Sequence, residues 1–372
     1  MICDKSKCTG CFACYNICPK NAIEMIEDEN GFLYPEIDNK KCINCGLCKK
    51  VCPSLNEVDK KYPQKCFAAY SKNKDIRNKS TSGGIATVLS QEIINDGGVV
   101  YGSAFTDKCC VEHIRVTQIE DLHQLQGSKY VHSYIKDCYK NVKTDLKDKT
   151  VLFIGTPCQI AGLKKYLMKD YDNLLLIDII CHGVPSQKYL QEEVKRIVGN
   201  INVDRVNFRN GNTYGLYPIK DNKILNGSDI QNSPYSDAFM SGISLRENCF
   251  SCSYAGANRI SDITIGDFWG LDKSSIFYKD KENGVSVIFI NTEKGAKYFN
   301  IINNLFEIES RPIEEAIIGN TQLMHPVVKN KNVDKFRKLC NKYNFEKAYK
   351  KVTKIKRFKS KVKNILKKLI KK

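Results

Sequence analysis

Eight cysteines at two matching sets of spacings are the residues of this chain best suited to chemistry. Cys8, Cys11, Cys14 and Cys18 precede Pro19 as C-x2-C-x2-C-x3-C-P, and Cys42, Cys45, Cys48 and Cys52 precede Pro53 in the same pattern, each 34 residues after its counterpart. The unit is an internal duplication. Three thiolates on one tight loop can grip three corners of an iron–sulfur cubane, while the fourth lies too far round to close the same one and ligates its neighbour. This predicts one [4Fe-4S] cluster on Cys8, Cys11, Cys14 and Cys52 and a second on Cys42, Cys45, Cys48 and Cys18. Pro19 and Pro53 then fix the backbone after each crossing ligand. Zinc sites usually use separated C-x2-C pairs closed by four ligands, which two complete runs do not match. The chemistry implied is the transfer of single electrons.

Four of the other ten cysteines also sit in suggestive places. Cys158 in GTPCQIAGL and Cys181 in DIICHGVPS follow predicted strands, and Cys249 and Cys252 in RENCFSCSY form a C-x2-C pair. Positions after strands are where α/β proteins place their sites. Four thiolates from three loops could hold a third cluster. On spacing alone the pair suits zinc equally well, and a cysteine after a strand is often merely buried. Cys3, Cys66, Cys109, Cys110, Cys138 and Cys340 lack ligand spacing and read as buried or free thiols.

Residues 1–56 resemble bacterial-type two-cluster ferredoxins. Further along, STSGG, QGSKYV, GTPCQIAGL, DIICHGVPS, CFSC and SDITIGDFWG occur in that order over roughly residues 65–310. Together they resemble the family of β subunits of coenzyme F420-reducing hydrogenases and dehydrogenases. The resemblance implies FAD, a [4Fe-4S] cluster on Cys158, Cys181, Cys249 and Cys252, and passage of electrons between clusters and a hydride acceptor.

Two glycine-bearing loops are the candidates for that flavin. Ser80, Thr81, Ser82, Gly83 and Gly84 lead into a predicted helix, where hydroxyls and unhindered amides would meet a phosphate, although the same residues favour an ordinary cap or turn. Gly127, Ser128, Lys129 and Tyr130 form the second loop, with Lys129 available to balance charge on a phosphate or the reduced ring. Neither loop is a G-x-G-x-x-G fingerprint. Asp267, with Asp262 and Trp269, follows a strand and is a candidate for the pocket wall. His182 beside Cys181 is a candidate proton relay, or simply a hydrogen-bonding neighbour of a sulfur or the backbone. No catalytic acid or base is named by the sequence.

The elements that must carry these residues follow from periodicity. After a polar connector, SLNEVDKKYPQK, runs such as GVVYGSAF, VLFIG, LLLIDII, DITIGDFW and VSVIFIN read as strands. They alternate with helical stretches such as GGIATVLSQEII, LKKYLMK and KYLQEEVKRIV. That alternation indicates α/β architecture. The expected organisation is an α+β ferredoxin-like domain (1–56) followed by an α/β domain whose two parts are 57–150 and 151–328. A basic amphipathic helical tail (329–372) completes the chain.

The tail carries nineteen of the Lys and Arg residues against Asp334 and Glu346, so the formal net charge of +18 lies almost entirely there. A lysine-rich amphipathic helix suits an anionic membrane surface or an acidic partner. Nucleic acid is disfavoured, because stacking aromatics are sparse in the tail and the body is nearly neutral. Eighteen cysteines in a long chain without a secretory leader point to metal or redox use rather than disulfides, and no apolar run is long enough for a membrane helix. A cytoplasmic location follows, with peripheral contact at the inner membrane surface the extra option opened by the tail.

These readings combine into an iron–sulfur, flavin-dependent oxidoreductase. Electrons would pass through [4Fe-4S] clusters to FAD and on to an organic acceptor such as coenzyme F420 or another small molecule, with a ferredoxin as the expected partner protein. The rival reading is a non-catalytic electron-transfer subunit of a larger redox complex. Other relatives accompany polysaccharide synthesis or reduce chlorophyll derivatives, so the resemblance leaves the substrate open.

Overall fold

A computed structural model describes residues 2–210, 213–229 and 233–354. The first 56 residues form a small unit in which each cysteine run opens a short helix, α1 (Ala13–Ile17) and α2 (Leu47–Lys50). Between them, strands β1 (Ile23–Glu27) and β2 (Leu33–Ile37) pair antiparallel, Ile23 opposite Ile37. The hairpin turn is held by Asp28, whose carboxylate accepts the amide N–H groups of Asn30 and Phe32. This is the Asx-turn chemistry that Asp provides locally.

The remainder is built on one eight-stranded sheet. Its strands are β3 (Lys65–Ser71), β4 (Val99–Thr106), β5 (Cys110–Val116), β6 (Val151–Gly155), β7 (Leu174–Ile179), β12 (Ile263–Asp267), β13 (Ser286–Ile290) and β14 (Phe306–Ser310). They lie side by side in the order β14-β3-β13-β12-β7-β6-β4-β5. The central strands β4, β6, β7 and β12 run parallel, and the flanking pairs are antiparallel. Near-continuous apolar runs such as VLFIG and LLLIDI suit strands buried on both faces. Strands from both parts of the expected α/β region, before and after residue 150, interleave in this sheet.

Helices α3 (Lys74–Lys79), α4 (Ile85–Asn95), α5 (Cys138–Asp145), α6 (Pro157–Leu167), α7 (Gln187–Val198), α8 (Pro234–Met240), α9 (Glu293–Ile302) and α10 (Ile313–Gly319) complete this part. The periodic reading anticipates α4, α6, α7, β4, β6, β7, β12 and β13. It does not anticipate β3, β5, β14, or a second small sheet formed by β8 (Arg205–Asn210), β9 (Thr213–Lys220), β10 (Lys223–Ile224) and β11 (Ser228–Asp229). Polar residues interrupt these strands, and the pairing between distant segments that stabilises them leaves no short-range mark.

The chain after residue 328 departs from a free basic tail. Helix α11 (Val333–Cys340) and a helical stretch at 345–354 pack into the body. Phe336, Phe345, Ala348 and Tyr349 join Tyr189 and Leu190 of α7 and Tyr235 and Ala238 of α8 in one apolar cluster. The described apolar positions of this segment are thus spent on the protein's own core. Ile355, Phe358, Val362, Ile365, Leu366 and Leu369, on which the membrane-surface reading rests, lie outside the described residues. Among the described residues no helix is long and apolar enough to cross a membrane.

Phe336 is fully buried, with its ring 5.5 Å from those of Tyr189 and Phe345. Phe336→Ala is expected to lower the stability of the body by about 3–5 kcal/mol, read as a lower urea midpoint with an unchanged slope.

Candidate functional site

The two cysteine runs meet across the duplication. Cys8, Cys11 and Cys14 line a cavity of about 330 Å³ together with Cys52 from the second run. Cys18 from the first run lies near Cys48 and Cys45. Burial raises the Cys48 thiol, and like charge on Cys45 and Cys18 adds to the effect. The first group is largely enclosed, whereas Cys45 is exposed and Cys18, Cys42 and Cys48 are half-buried. Cys3, which carries no ligand spacing, sits between Cys8 and Cys52; its hydrogen bonds to both lower their thiols while its own is raised.

A second and larger cavity, about 600 Å³, is lined by Cys158, Cys181, Cys249 and Cys252. Each cysteine reaches it for a local reason. Gly155 ends β6, and Thr156 caps α6 through a reciprocal capping box with Gln159, with Pro157 at the first helical position. The string TPCQ thereby fixes Cys158 in the first turn. Strand β7 lies parallel beside β6, Gly155 opposite Asp178, so Cys181 emerges at the same C-terminal edge. The fully buried Asp178 is paired with Arg259 at 3.0 Å. The segment with Cys249 and Cys252 is tied to the Cys181 loop by the Arg246 amide, which donates to the Val184 carbonyl at 2.9 Å. A Cβ on Gly183 would lie 3.3 Å from that of Cys249.

Burial pushes the Cys158 and Cys249 thiols up to about 12 and raises Cys181 and Cys252. Among the described residues no three Cys, His, Asp or Glu side chains converge tightly enough to grip a single metal ion. Four soft sulfur donors around one cavity fit an iron–sulfur cluster.

The two enclosed cavities adjoin. Thr9 lines both. Helix α6, which carries Cys158 in its first turn, brings Gly162 against Cys11 one turn later. A Cβ at Gly162 would lie 3.0 Å from the Cys11 sulfur, 2.9 Å from its Cβ and 2.8 Å from the Tyr139 hydroxyl. A glycine inside an otherwise good helical string is the signal that could have marked this contact.

On its other side aromatic rings connect the large cavity to the second of the two loops proposed for a flavin. His132 lines the cavity two residues after Tyr130. The Tyr130 ring stacks on Phe239 at 5.0 Å, and Phe239 meets His182 edge-on at 4.9 Å. The loops themselves touch: the Ser128 hydroxyl donates to that of Thr81 at 3.1 Å. Arg209, which sequence reasoning missed, ties them together by donating to the Thr81 carbonyl, the Tyr130 hydroxyl and the Asp267 carboxylate. Ser286 holds Ser82 and Gly83, and Gly84 begins α4 with no side-chain cap. That leaves the amides of the first turn open to an anion.

Three expected residues are already committed. Lys129 donates to the carbonyls of Gln124, Leu125 and Gln126, and burial lowers it to about 7. Asp262 is buried and accepts from the Leu176 amide and the Thr292 hydroxyl, away from both loops. His182 has Nε2 on the Phe239 carbonyl and Nδ1 on the Gln322 amide, and burial lowers its basicity. Trp269 is half-exposed, 6.3 Å from the Tyr214 ring.

Gly162→Ala is expected to force α6 away from Cys11 at a cost of about 1–3 kcal/mol, the usual range for overpacking. Iron retention at the Cys8, Cys11, Cys14 and Cys52 site should fall, while the exposed site keeps its electron-spin signal.

Three segments of the chain match known protein families. Residues 7–56 match the 4Fe-4S dicluster domain. Residues 66–138 and 148–316 match the N-terminal and C-terminal parts of the coenzyme F420 hydrogenase/dehydrogenase beta subunit. One subunit of the F(420)H(2) dehydrogenase of Methanosarcina mazei is 23% identical over 352 residues, covering 91% of this chain and 82% of that protein. The coenzyme F420-dependent sulfite reductase of Methanocaldococcus jannaschii is 24% identical over 333 residues, but the match spans only 48% of that protein. A chain of the solved F420-reducing [NiFe] hydrogenase complex from Methanosarcina barkeri shares the fold, with a TM-score of 0.50 at 21% identity, over 80% of this chain and 94% of that one. With both halves of the beta subunit matched in order behind a dicluster domain, the chain belongs to the family of coenzyme F420 hydrogenase/dehydrogenase beta subunits.

Proposed function

We propose that the chain is an iron–sulfur flavoprotein oxidoreductase with three [4Fe-4S] sites and one FAD, working on an organic acceptor of which coenzyme F420 is the first candidate. The observation that carries this reading is the large cavity. Four cysteines from three separate segments line it, it adjoins the Cys8, Cys11, Cys14 and Cys52 cavity through Thr9, and its wall residue His182 connects through the Phe239 ring to that of Tyr130. Clusters supply one-electron steps and a flavin converts them to two-electron chemistry.

The residues have distinct tasks in that scheme. Cys18, Cys42, Cys45 and Cys48 stand at the surface, rimmed by the exposed Lys40, Lys41, Lys49 and Lys50, which suits exchange with an acidic electron-carrying protein such as a ferredoxin. Cys8, Cys11, Cys14 and Cys52 come next, and Cys158, Cys181, Cys249 and Cys252 line the cavity that adjoins them. In this reading Thr81, Ser128, the uncapped first turn after Gly84 and the Arg209–Asp267 pair would hold the flavin. Tyr130, Phe239 and His182 fill the space between the loops and the inner cysteines and keep water out. The three relatives named above all carry F420 in their names, which supports that acceptor.

Anaerobic preparation followed by iron, sulfide and flavin analysis tests the reading. About twelve irons and one FAD per chain are expected, and the double replacement of Cys249 and Cys252 by Ser should remove about four irons while the other eight stay. About eight irons with no flavin, even after incubation with FAD, would leave only an electron-carrying subunit. Arg209→Gln should weaken FAD binding about tenfold, ~1.4 kcal/mol, with iron content unchanged, as read by flavin released on ultrafiltration.

A further inference from the structure

Arg246 is completely buried, and its environment lacks the partner that a buried cation needs. It lies three residues before Cys249 and reaches back into the N-terminal unit. There Nε donates to the Cys8 carbonyl and Nη2 to the Leu33 carbonyl, each at 2.8 Å. Nη1 has no hydrogen-bond acceptor among the described residues. The guanidinium carbon stands 4.2 Å from the centre of the Tyr34 ring and 5.7 Å from that of Phe32. Gly10, at φ +67°, makes room for it, since a Cβ there would lie 3.1 Å from Nη1.

The other two deeply placed arginines of the site differ in one respect. Arg209 faces Asp267 and Arg259 faces Asp178, whereas among the described residues no carboxylate pairs with Arg246. A buried charge with no opposite charge is strongly unfavourable, and two backbone carbonyls and a ring face do not neutralise it. The negative groups within its reach are sulfur ligands. Its guanidinium reaches the Cys8 carbonyl, while its backbone lies three residues before Cys249 and is tied to the Cys181 loop at Val184, so it stands between the two groups of cysteines.

We propose that Arg246 is the shared counter-cation of the two enclosed four-cysteine sites, and that its fixed charge sets their reduction potentials above the values burial alone would give. The proposal rests on the reading that both sites hold clusters. Each four-thiolate cubane is a net anion that gains one negative charge with each electron accepted. A low-dielectric setting opposes that gain, and a cation fixed between the two sites favours it. Arg246 is a positioning residue of the electron path rather than a ligand.

A redox titration of the full, iron-loaded chain followed by electron spin resonance tests this with Arg246→Gln and Arg246→Lys. Arg246→Gln should lower the midpoints of the two enclosed sites by about tenfold in the one-electron equilibrium, ~59 mV, and leave the exposed Cys18, Cys42, Cys45 and Cys48 site in place. Arg246→Lys, which keeps the charge and loses the planar fork, should retain most of the wild-type potentials. Equal shifts for Lys and Gln, or none, would overturn the role of charge while leaving the clusters intact. If Arg246→Gln does not load, the unmodified protein decides: enclosed sites that reduce at or above the exposed one support the cation, and enclosed sites reducing well below it refute it. A wild-type chain with no third signal would refute the three-cluster reading and this proposal together.

Discussion

Helix α6 can lie against the N-terminal unit only because Gly162 has no side chain. That contact brings the first turn of α6, with Cys158 in it, within one helical turn of Cys11. Almost everything else about the site depends on this closeness. Without it the N-terminal unit would be an appended electron carrier on a tether. With it, Phe12 and Ala13 of that unit share one apolar core with Ile160, Ala161 and Leu163 of α6. The unit is thus part of the body, and its inner cysteines are aligned with the large cavity by packing rather than by a flexible connector.

Electrostatics give the arrangement its direction. The exposed cysteines of the second run have water to stabilise added charge, whereas the enclosed groups must find that stabilisation in the protein. The raised thiols of Cys158, Cys181, Cys249 and Cys252 show how unfavourable bare thiolates are in that interior. Ligation to metal removes the difficulty, because a coordinating thiol is deprotonated outright.

Beyond the large cavity the fold changes strategy, from sulfur ligands to backbone and hydroxyl groups. The loop before α4 and the loop at 127–130 lie on either side of β4 and β5 in the chain, yet Ser128 meets Thr81 and Arg209 spans both. Arg209 arrives from the small sheet, which makes that sheet a strut for the site rather than decoration. Lys129, by contrast, spends its ammonium on three carbonyls of the preceding turn and shapes the loop instead of facing a ligand.

The sequence by itself determined what is local. The spacing of the eight N-terminal cysteines, the capping string around Cys158 and the apolar runs of β6 and β7 are short-range patterns whose geometry follows from backbone and thiolate chemistry alone. The expected crossing of Cys52 and Cys18 rests on the same loop-length argument, and Cys52 lines the cavity of Cys8, Cys11 and Cys14. Convergence of Cys158, Cys181, Cys249 and Cys252 was not legible from spacing, since three loops as much as 94 residues apart carry no local record of meeting. Arg246, Arg209, Cys3 and the folding back of the helix at 333–340 onto α7 belong to the same class. Their roles come from what surrounds them. A buried cation, a strand that pairs with a distant partner and a glycine facing a sulfur acquire meaning only when tertiary packing brings their neighbours into contact.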